Sequence, residues 1–435
     1  MPVDDGIQRE RLVQGPTRTI ALAHLLNATS NQTLETSDLR YFSVVDVARH
    51  AGWAPRPEVK LLFFARRSAW GTPGALNVLR SLSTWALALR DNRLEHLAAA
   101  PVVDDYALAS NMDVLLDTDA GGHSVLYGLG GHHLGWDERH GFSQLSKKAA
   151  SGSRLRPRDG LHLLRATRLA DVLSGAWLPW SQFNPAAAPT SRSRRAVVES
   201  PEAKARRERI KASVVIDGRH PGCVEKFNRY APLCFYDSKM SLTRFRGRYL
   251  VFARANTVDR GGGRFVQVAE STGGDAAGPY GSFELLKIEG YTSLRSGNIY
   301  TAVVHEHPSD PTMLLGLFSV NEGVPRKVNH DGKCYIALSL SCDGRHWSKL
   351  TPLLDTAGVR GRTFDQPVRG LVQRGANVHF FVHRDVPQIS PAAPTASRLE
   401  RYTFRGGALA SLTASVKQSS VCAHASSVSE SVLPG

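Results

Sequence analysis

From about residue 110 the apolar positions come in short runs, bounded by Gly, Asp, Asn and Pro, as strands do. The runs are HSVLYGLGG (123–131), GLHLLRAT (160–167), SLTRFRGRYLVFARAN (241–256), GRFVQVAES (263–271), GNIYTAVVHEH (297–307), TMLLGLFSV (312–320), KCYIALSLS (333–341), GLVQRGANVHFFVHRD (370–385) and RLERYTF (398–404). The spacers Arg246-Gly-Arg248, Arg260-Gly-Gly-Gly263 and Arg374-Gly-Ala376 have hairpin length, whereas parallel strands need crossovers of about a dozen residues or more. Antiparallel hairpins follow. They recur in one order: a strand and short turn, a strongly apolar strand ending in a charge, then a strand ending in Ser or Thr. Self-similar units of four strands predict an all-β β-propeller, with five blades favoured; a sandwich or barrel is the alternative.

The first hundred residues read differently. The stretch 75–100, ALNVLRSLSTWALALRDNRLEHLAAA, places Val78, Leu79, Leu82, Trp85, Leu87 and Leu89 near helical spacing, so a helix is expected there. KLLFFARRSAW (60–70) reads as a strand. Residues 1–100 are therefore expected to form a partly helical segment that supplies at most a closing strand, 105–405 the propeller, and 406–435 a loosely held Ser/Ala-rich tail.

Of 435 residues, 42% are hydrophobic and 21% charged, the make-up of a chain with ample core, and no apolar run is long enough for a spanning helix. Fifty-four Lys and Arg against 39 Asp and Glu give a net charge of +15, which favours anionic partners. Part of that excess sits in a basic stretch at 183–211 that reads as a disordered insertion. The strands lack the regular interleaving of basic and aromatic residues that nucleic-acid binding calls for, so nucleic acid is disfavoured. Cys223, Cys234, Cys334, Cys342 and Cys422 are an odd set without CxxC or zinc spacing; Cys223 and Cys234 could pair in an oxidising compartment. Neither HExxH nor facial-triad spacing occurs, and no metal or cofactor is expected. The N-terminal residues show no signal-peptide pattern, while sequons at Asn27 and Asn31 would fit a secretory route; the compartment stays open.

One motif adds to the pattern. Residues 341–347, Ser-Cys-Asp-Gly-Arg-His-Trp, directly follow an apolar strand. They are similar to the Asp-box turn, S-x-D-G-x-x-W, of sialidase-like propellers. There, with Ser341 as the motif's first residue, the Asp343 carboxylate would cap the turn, Gly344 take positive φ, and Trp347 pack between blades. With the display strands RGRYLVFARAN…GRFVQVAES and NIYTAVVHEH…CYIALSLS, the region 105–405 resembles the five-bladed carbohydrate enzymes of the arabinanase, fructosidase and mannoside-phosphorylase type, relatives of the sialidases.

That resemblance implies carboxylates working as acid, base or nucleophile in a central cavity. The acids beside display strands are Asp237, Glu289, Glu306 and Asp365, with Glu225 before the same blade as Asp237. Candidate substrate-binding residues are Arg254 and Arg384, which end apolar strands, Arg264, His383 and the loop residue Trp136, a platform for a sugar ring. Asp237, Glu289, Glu306 and Arg254 are expected to line one cavity on the axis. Two readings of the function stay open: a glycosidase-like propeller acting on a carbohydrate, anionic if the arginines converge, and a propeller that only binds glycans or proteins. Fold alone does not choose between them.

Overall fold

In a computed structural model the described residues are 13–20, 39–48, 50, 52–70, 79–90, 93–104, 108, 111–119, 121–131, 160–179, 201–217, 220–223, 236, 239–256, 263–291, 298–322, 334–356, 363–387, 397–404 and 406–423. They form five sheets in chain order. The first strand, β1 (Val13–Ile20), belongs to the last sheet. Blade I is β2 (Leu39–Asp46), β3 (Leu61–Trp70), β4 (Leu79–Arg90) and β5 (Arg93–His96). Blade II has β6 (Asp113–Thr118), β7 (Ser124–Gly131), β8 (Gly160–Ala166), helix α1 (Leu169–Leu173), β9 (Leu178–Pro179), helix α2 (Pro201–Ser213) and β10 (Val214–Asp217). Blade III is β11 (Ser241–Phe245), β12 (Arg248–Asn256), β13 (Arg264–Glu270) and β14 (Glu284–Leu285).

Blade IV takes β15 (Lys287–Ile288) as its outer edge, then β16 (Asn298–His307), β17 (Asp310–Asn321), β18 (Cys334–Ser341), β19 (His346–Trp347) and β20 (Thr351–Thr356). Blade V is β21 (Thr363–Pro367), β22 (Val372–Arg374), β23 (Asn377–Pro387) and β24 (Arg398–Phe404), and helix α3 (Gly406–Lys417) follows. β1 pairs antiparallel with β24, so the start of the chain supplies the outer strand of the last blade and closes the ring.

Five apolar clusters, one in each seam between neighbouring sheets, hold the described ring together. Phe63 and Phe381 meet edge to face at 5.3 Å between blades V and I. Phe64, Leu126 and Leu164 fill the seam of I and II; Val125, Leu163 and Val251 that of II and III. Phe252, Phe318 and Trp347 fill the seam of III and IV, while Leu317, Phe380 and Leu409 meet between IV and V. A sheet covered on both faces buries successive residues instead of every second one, which is why β17 and β18 read as unbroken apolar runs.

The helix expected within 75–100 is a strand. β4 pairs with β3 along nearly its whole length, and Ser83 to Ala88 are all buried. Leu and Ala favour helix locally, but the alternation of large Trp85, Leu87 and Leu89 with small Ala86 and Ala88 suits a strand squeezed between two neighbouring blades. Residues 39–96 thus make a full blade, and the propeller starts well before residue 105. The basic stretch is partly ordered too. Pro201 opens α2 at the position where a missing N–H is harmless, and Arg209 docks the helix by donating to the Trp177 carbonyl at 2.9 Å. In the tail, Leu409 and Val416 of α3 are buried in the seam of blades IV and V, and Cys342 is disulfide-bonded to Cys422. Cys223 is disulfide-bonded as well. No described helix is long and apolar enough to cross a membrane.

Candidate functional site

The inner strands β2, β6, β11, β16 and β21 stand side by side around the hub, bound partly through side chains. Ser241 Oγ donates to the Ala302 carbonyl and Thr243 Oγ1 to that of Val304 at 2.7 Å. The starting ends of β2, β6 and β11 meet around one ammonium group. Lys239, just before β11, donates to the Met112 carbonyl at 2.7 Å, the Tyr41 carbonyl at 3.2 Å and Ser43 Oγ at 2.5 Å. It also faces the wholly buried Asp113 at 3.5 Å. Arg369 reaches the same carboxylate at 3.3 Å and donates to the Leu242 carbonyl and to His305 Nδ1, both at 2.8 Å. Burial lowers the Lys239 ammonium to about 8 although Asp113 pulls it up. Burial, then Arg369, holds His305 well below its ordinary value, so the ring is neutral and carries its proton on Nε2. A polar plug, not aliphatic packing, fills this part of the hub.

At this same end, which we call the mouth, the backbone is strained. Tyr41, Asn111 and Asp385 hold φ of 55°, 54° and 56°, a region unfavourable to side-chain-bearing residues. The Arg66 guanidinium lies 4.5 Å above the Tyr41 ring and donates to Asn111 Oδ1. Across the mouth, Arg264 stacks on Tyr300 in the same manner at 4.9 Å, and its N–H donates to Asn298 Oδ1. A small crevice beside it is lined by Lys239, Arg254, Phe265, Ile299 and Tyr300.

The sequence-predicted residues divide between several places. Arg254 and Arg264 do come together at the mouth: Arg254 pairs with Val266 in register, so Arg264, two residues earlier on β13, points to the same face. Asp365 lies near the start of β21, buried, with the Arg384 guanidinium 2.7 Å from its carboxylate and the Asp385 N–H donating to it. Arg384 is further tied to Glu400 and to the Tyr402 hydroxyl, and so is anchored within its own blade. His383 is core: fully buried, edge-on to Phe42 at 4.9 Å, and lowered to about 3 by burial and then by Arg40.

Glu306 and Glu289 do not join Arg254. Glu306 is six residues along β16 from Tyr300, about 20 Å at strand spacing, at the far end of the hub. There it neighbours Asp117 and Arg244, and burial, followed by Asp117, raises its carboxyl. Glu289 follows β15 on the outer edge of blade IV, exposed, its N–H donating to the Trp347 carbonyl. Equal placement relative to strands in sequence does not bring these acids together: Glu306 stands at the opposite end of the hub from Arg254, and Glu289 on an outer blade edge. Asp237, Glu225 and Trp136 lie outside the described residues. Lys239, Asp113, Arg66, Tyr41, Asn111 and Tyr300 were missed; a lysine entering an apolar strand in SKMSL was the available signal.

In the 341–347 turn, Ser341 Oγ accepts from the Gly344 N–H at 2.8 Å, and Asp343 Oδ1 accepts from the Arg345 and His346 N–H groups, each at 2.7 Å. Gly344 has φ 79°. Trp347 stands between Phe252 of blade III at 6.0 Å and Phe318 of blade IV at 5.5 Å. Burial would raise Asp343, but the bonds from His346 and the turn N–H groups outweigh it and hold it below its ordinary value. These four residues shape the seam and lie at the turn end of β18, away from the mouth. No described group of three or more His, Cys, Asp or Glu is placed to hold a metal ion.

Asp365 gives a pH test. Burial raises it to about 6 against the pull of Arg384. A carboxyl that holds its proton more tightly folded than unfolded favours folding most below about pH 4, and that contribution is lost as pH rises through about 6. Asp365→Asn is therefore expected to gain stability over the parent at pH 8 and to lose that advantage at pH 4, read from urea midpoints at both values. A variant less stable at pH 8 than at pH 4, relative to the parent, contradicts the assignment.

The described strands define a five-bladed β-propeller. No family model matches the chain, and no curated protein matches it. Among solved structures it is similar to the catalytic domain of a GH62 α-L-arabinofuranosidase from Coprinopsis cinerea: 10% identity, 90% of this chain and 98% of that one, TM-score 0.43. A family 117 glycoside hydrolase from the marine bacterium Zobellia galactanivorans matches at 10% identity over 91% of each chain, TM-score 0.44. An α-L-arabinofuranosidase from Fusarium graminearum, solved with an iminosugar inhibitor, matches at 8% identity over 90% of this chain and 97% of that one, TM-score 0.42. Likeness this distant has no bearing on activity, which rests on the site itself.

Proposed function

We propose that this protein acts on a carbohydrate at the mouth of the hub, as a glycoside-hydrolase-like propeller. The observation that supports this is the strained backbone of Tyr41 and Asn111, locked by Lys239 and Arg66 where the inner strands begin. Strain of about 1–3 kcal/mol per residue persists where the surroundings over-determine it, and it clusters at ligand sites. In this reading Tyr300 offers its ring to a sugar face, Arg254 and Arg264 hold hydroxyl or acidic groups, and Asp365, with its raised carboxyl, donates the proton to the leaving oxygen. Asp237 is the second carboxylate, Trp136 a further platform, and the 341–347 turn an Asp-box copy.

One observation favours the binding-only alternative: among the described residues, the mouth carboxylates Asp113 and Asp365 are each ion-paired to cationic side chains. A screen of aryl glycosides and sialosides separates the two. With at least one substrate turned over, Asp365→Asn and Asp237→Asn are expected to lose about 100-fold or more in kcat/KM, while Glu306→Gln and Glu289→Gln stay within about twofold. Loss in Glu306→Gln with Asp365→Asn unaffected would move the site to the other end of the hub.

A further inference from the structure

We propose that the seam between blades V and I contains a sealed binding site for water, in which one molecule bridges the Gln366 side-chain amide and the His383 ring and so helps fix Tyr41 at the mouth. Gln366 and His383 are register partners on β21 and β23, so their side chains stand together on one face of blade V. That face meets β2 of blade I: the His383 and Phe42 rings pack edge to face, and Gln366 Oε1 accepts from the Tyr41 N–H at 3.4 Å. Both side chains are shut off from solvent, at 2% and 0% exposure. Gln366 Nε2 and both ring nitrogens of His383 nevertheless have no hydrogen-bond partner among the described residues.

The Tyr41 N–H decides which way the amide points. Turned over, Gln366 would set its own N–H groups against another donor, so Nε2 faces away from Tyr41. Folded interiors rarely leave several polar atoms unmet in one place, and buried water is the usual partner where they do. His383 is neutral, so its ring offers one N–H and one lone pair. The two side chains together therefore present donors and an acceptor. A water accepts from the Gln366 amide while it donates to the ring. An anion could only accept, would leave the ring lone pair unmet, and would shed its hydration among Phe42, Phe381 and Leu399. A cation would face the amide N–H groups and the charge of nearby Arg40. The consequence reaches the mouth, because Gln366 holds the N–H of Tyr41, whose φ is 55°, and the water holds Gln366.

The test is a high-resolution crystal structure of the full-length protein. The expected result is one spherical density peak within about 2.7–3.2 Å of both Gln366 Nε2 and a His383 ring nitrogen. Crystals soaked in sodium bromide are expected to show no anomalous signal there. His383→Phe keeps a flat ring beside Phe42 without its nitrogens, and its crystals are expected to lose the peak. Gln366→Met removes the other anchor and serves as the second variant, with the same loss expected. No peak in the parent, a bromide signal at that position, or a peak that survives both substitutions would each overturn the proposal.

Discussion

Lys239→Met is expected to destabilise the protein by about 3–5 kcal/mol, the cost of removing one partner from a buried ion cluster. The loss has two parts. Asp113, wholly buried, keeps Arg369, the Leu242 N–H and Ser43 but loses its nearest ammonium. The Tyr41 and Met112 carbonyls, with Ser43, lose their shared donor, and unpaired buried acceptors carry their own penalty. Equilibrium unfolding in urea reads the effect. Asp113→Asn in the Lys239→Met background is expected to destabilise further, because buried Arg369 then has lost its counter-ion. A single variant within 1 kcal/mol of the parent would show that the plug does not hold the inner strands together.

The second large effect concerns the tail. Cys342 in the 341–347 turn is bonded to Cys422 beyond α3, closing a separation of 80 residues. Chain entropy for a loop of that length corresponds to about 4 kcal/mol, less whatever the native state gives back in strain. Reductant also acts on Cys223, so Cys422→Ser isolates the clamp. The variant is expected to unfold at clearly lower temperature than the parent under non-reducing conditions. It should also make α3 easier to cleave by protease, since only the seam packing of Leu409 and Val416 and the contacts of Thr413 with His307 and Lys417 with Asp310 then hold the helix. A melting temperature equal to the parent's, with α3 still protected, contradicts this account of the tail.

Short apolar runs and hairpin spacers made most of the propeller legible from residue 110 on, because each hairpin carries its own turn chemistry. Blade I was hidden, since Leu and Ala in a doubly covered strand copy the composition of a helix. The clamp was hidden for another reason: no local spacing announces a bond between Cys342 and Cys422. The candidate site was legible only in part. Arg254 and Arg264 share a face because of the register of β12 and β13, which the turn between the two strands fixes. Glu306 and Glu289 were misplaced because position relative to a strand does not say which end of the hub, or which edge of the blade, that strand end occupies. Lys239, Asp113 and Arg369 come from three different blades, and only the closed ring brings them together.

The most direct measurement is the crystal structure of the protein soaked with an oligosaccharide that it turns over or retains. Difference density is predicted within contact distance of Tyr300, Arg254 and Arg264, beside the strained Tyr41 and Asn111. Sugar density at the Glu306 and Asp117 end of the hub, or along the outer strands, would contradict the placement of the site.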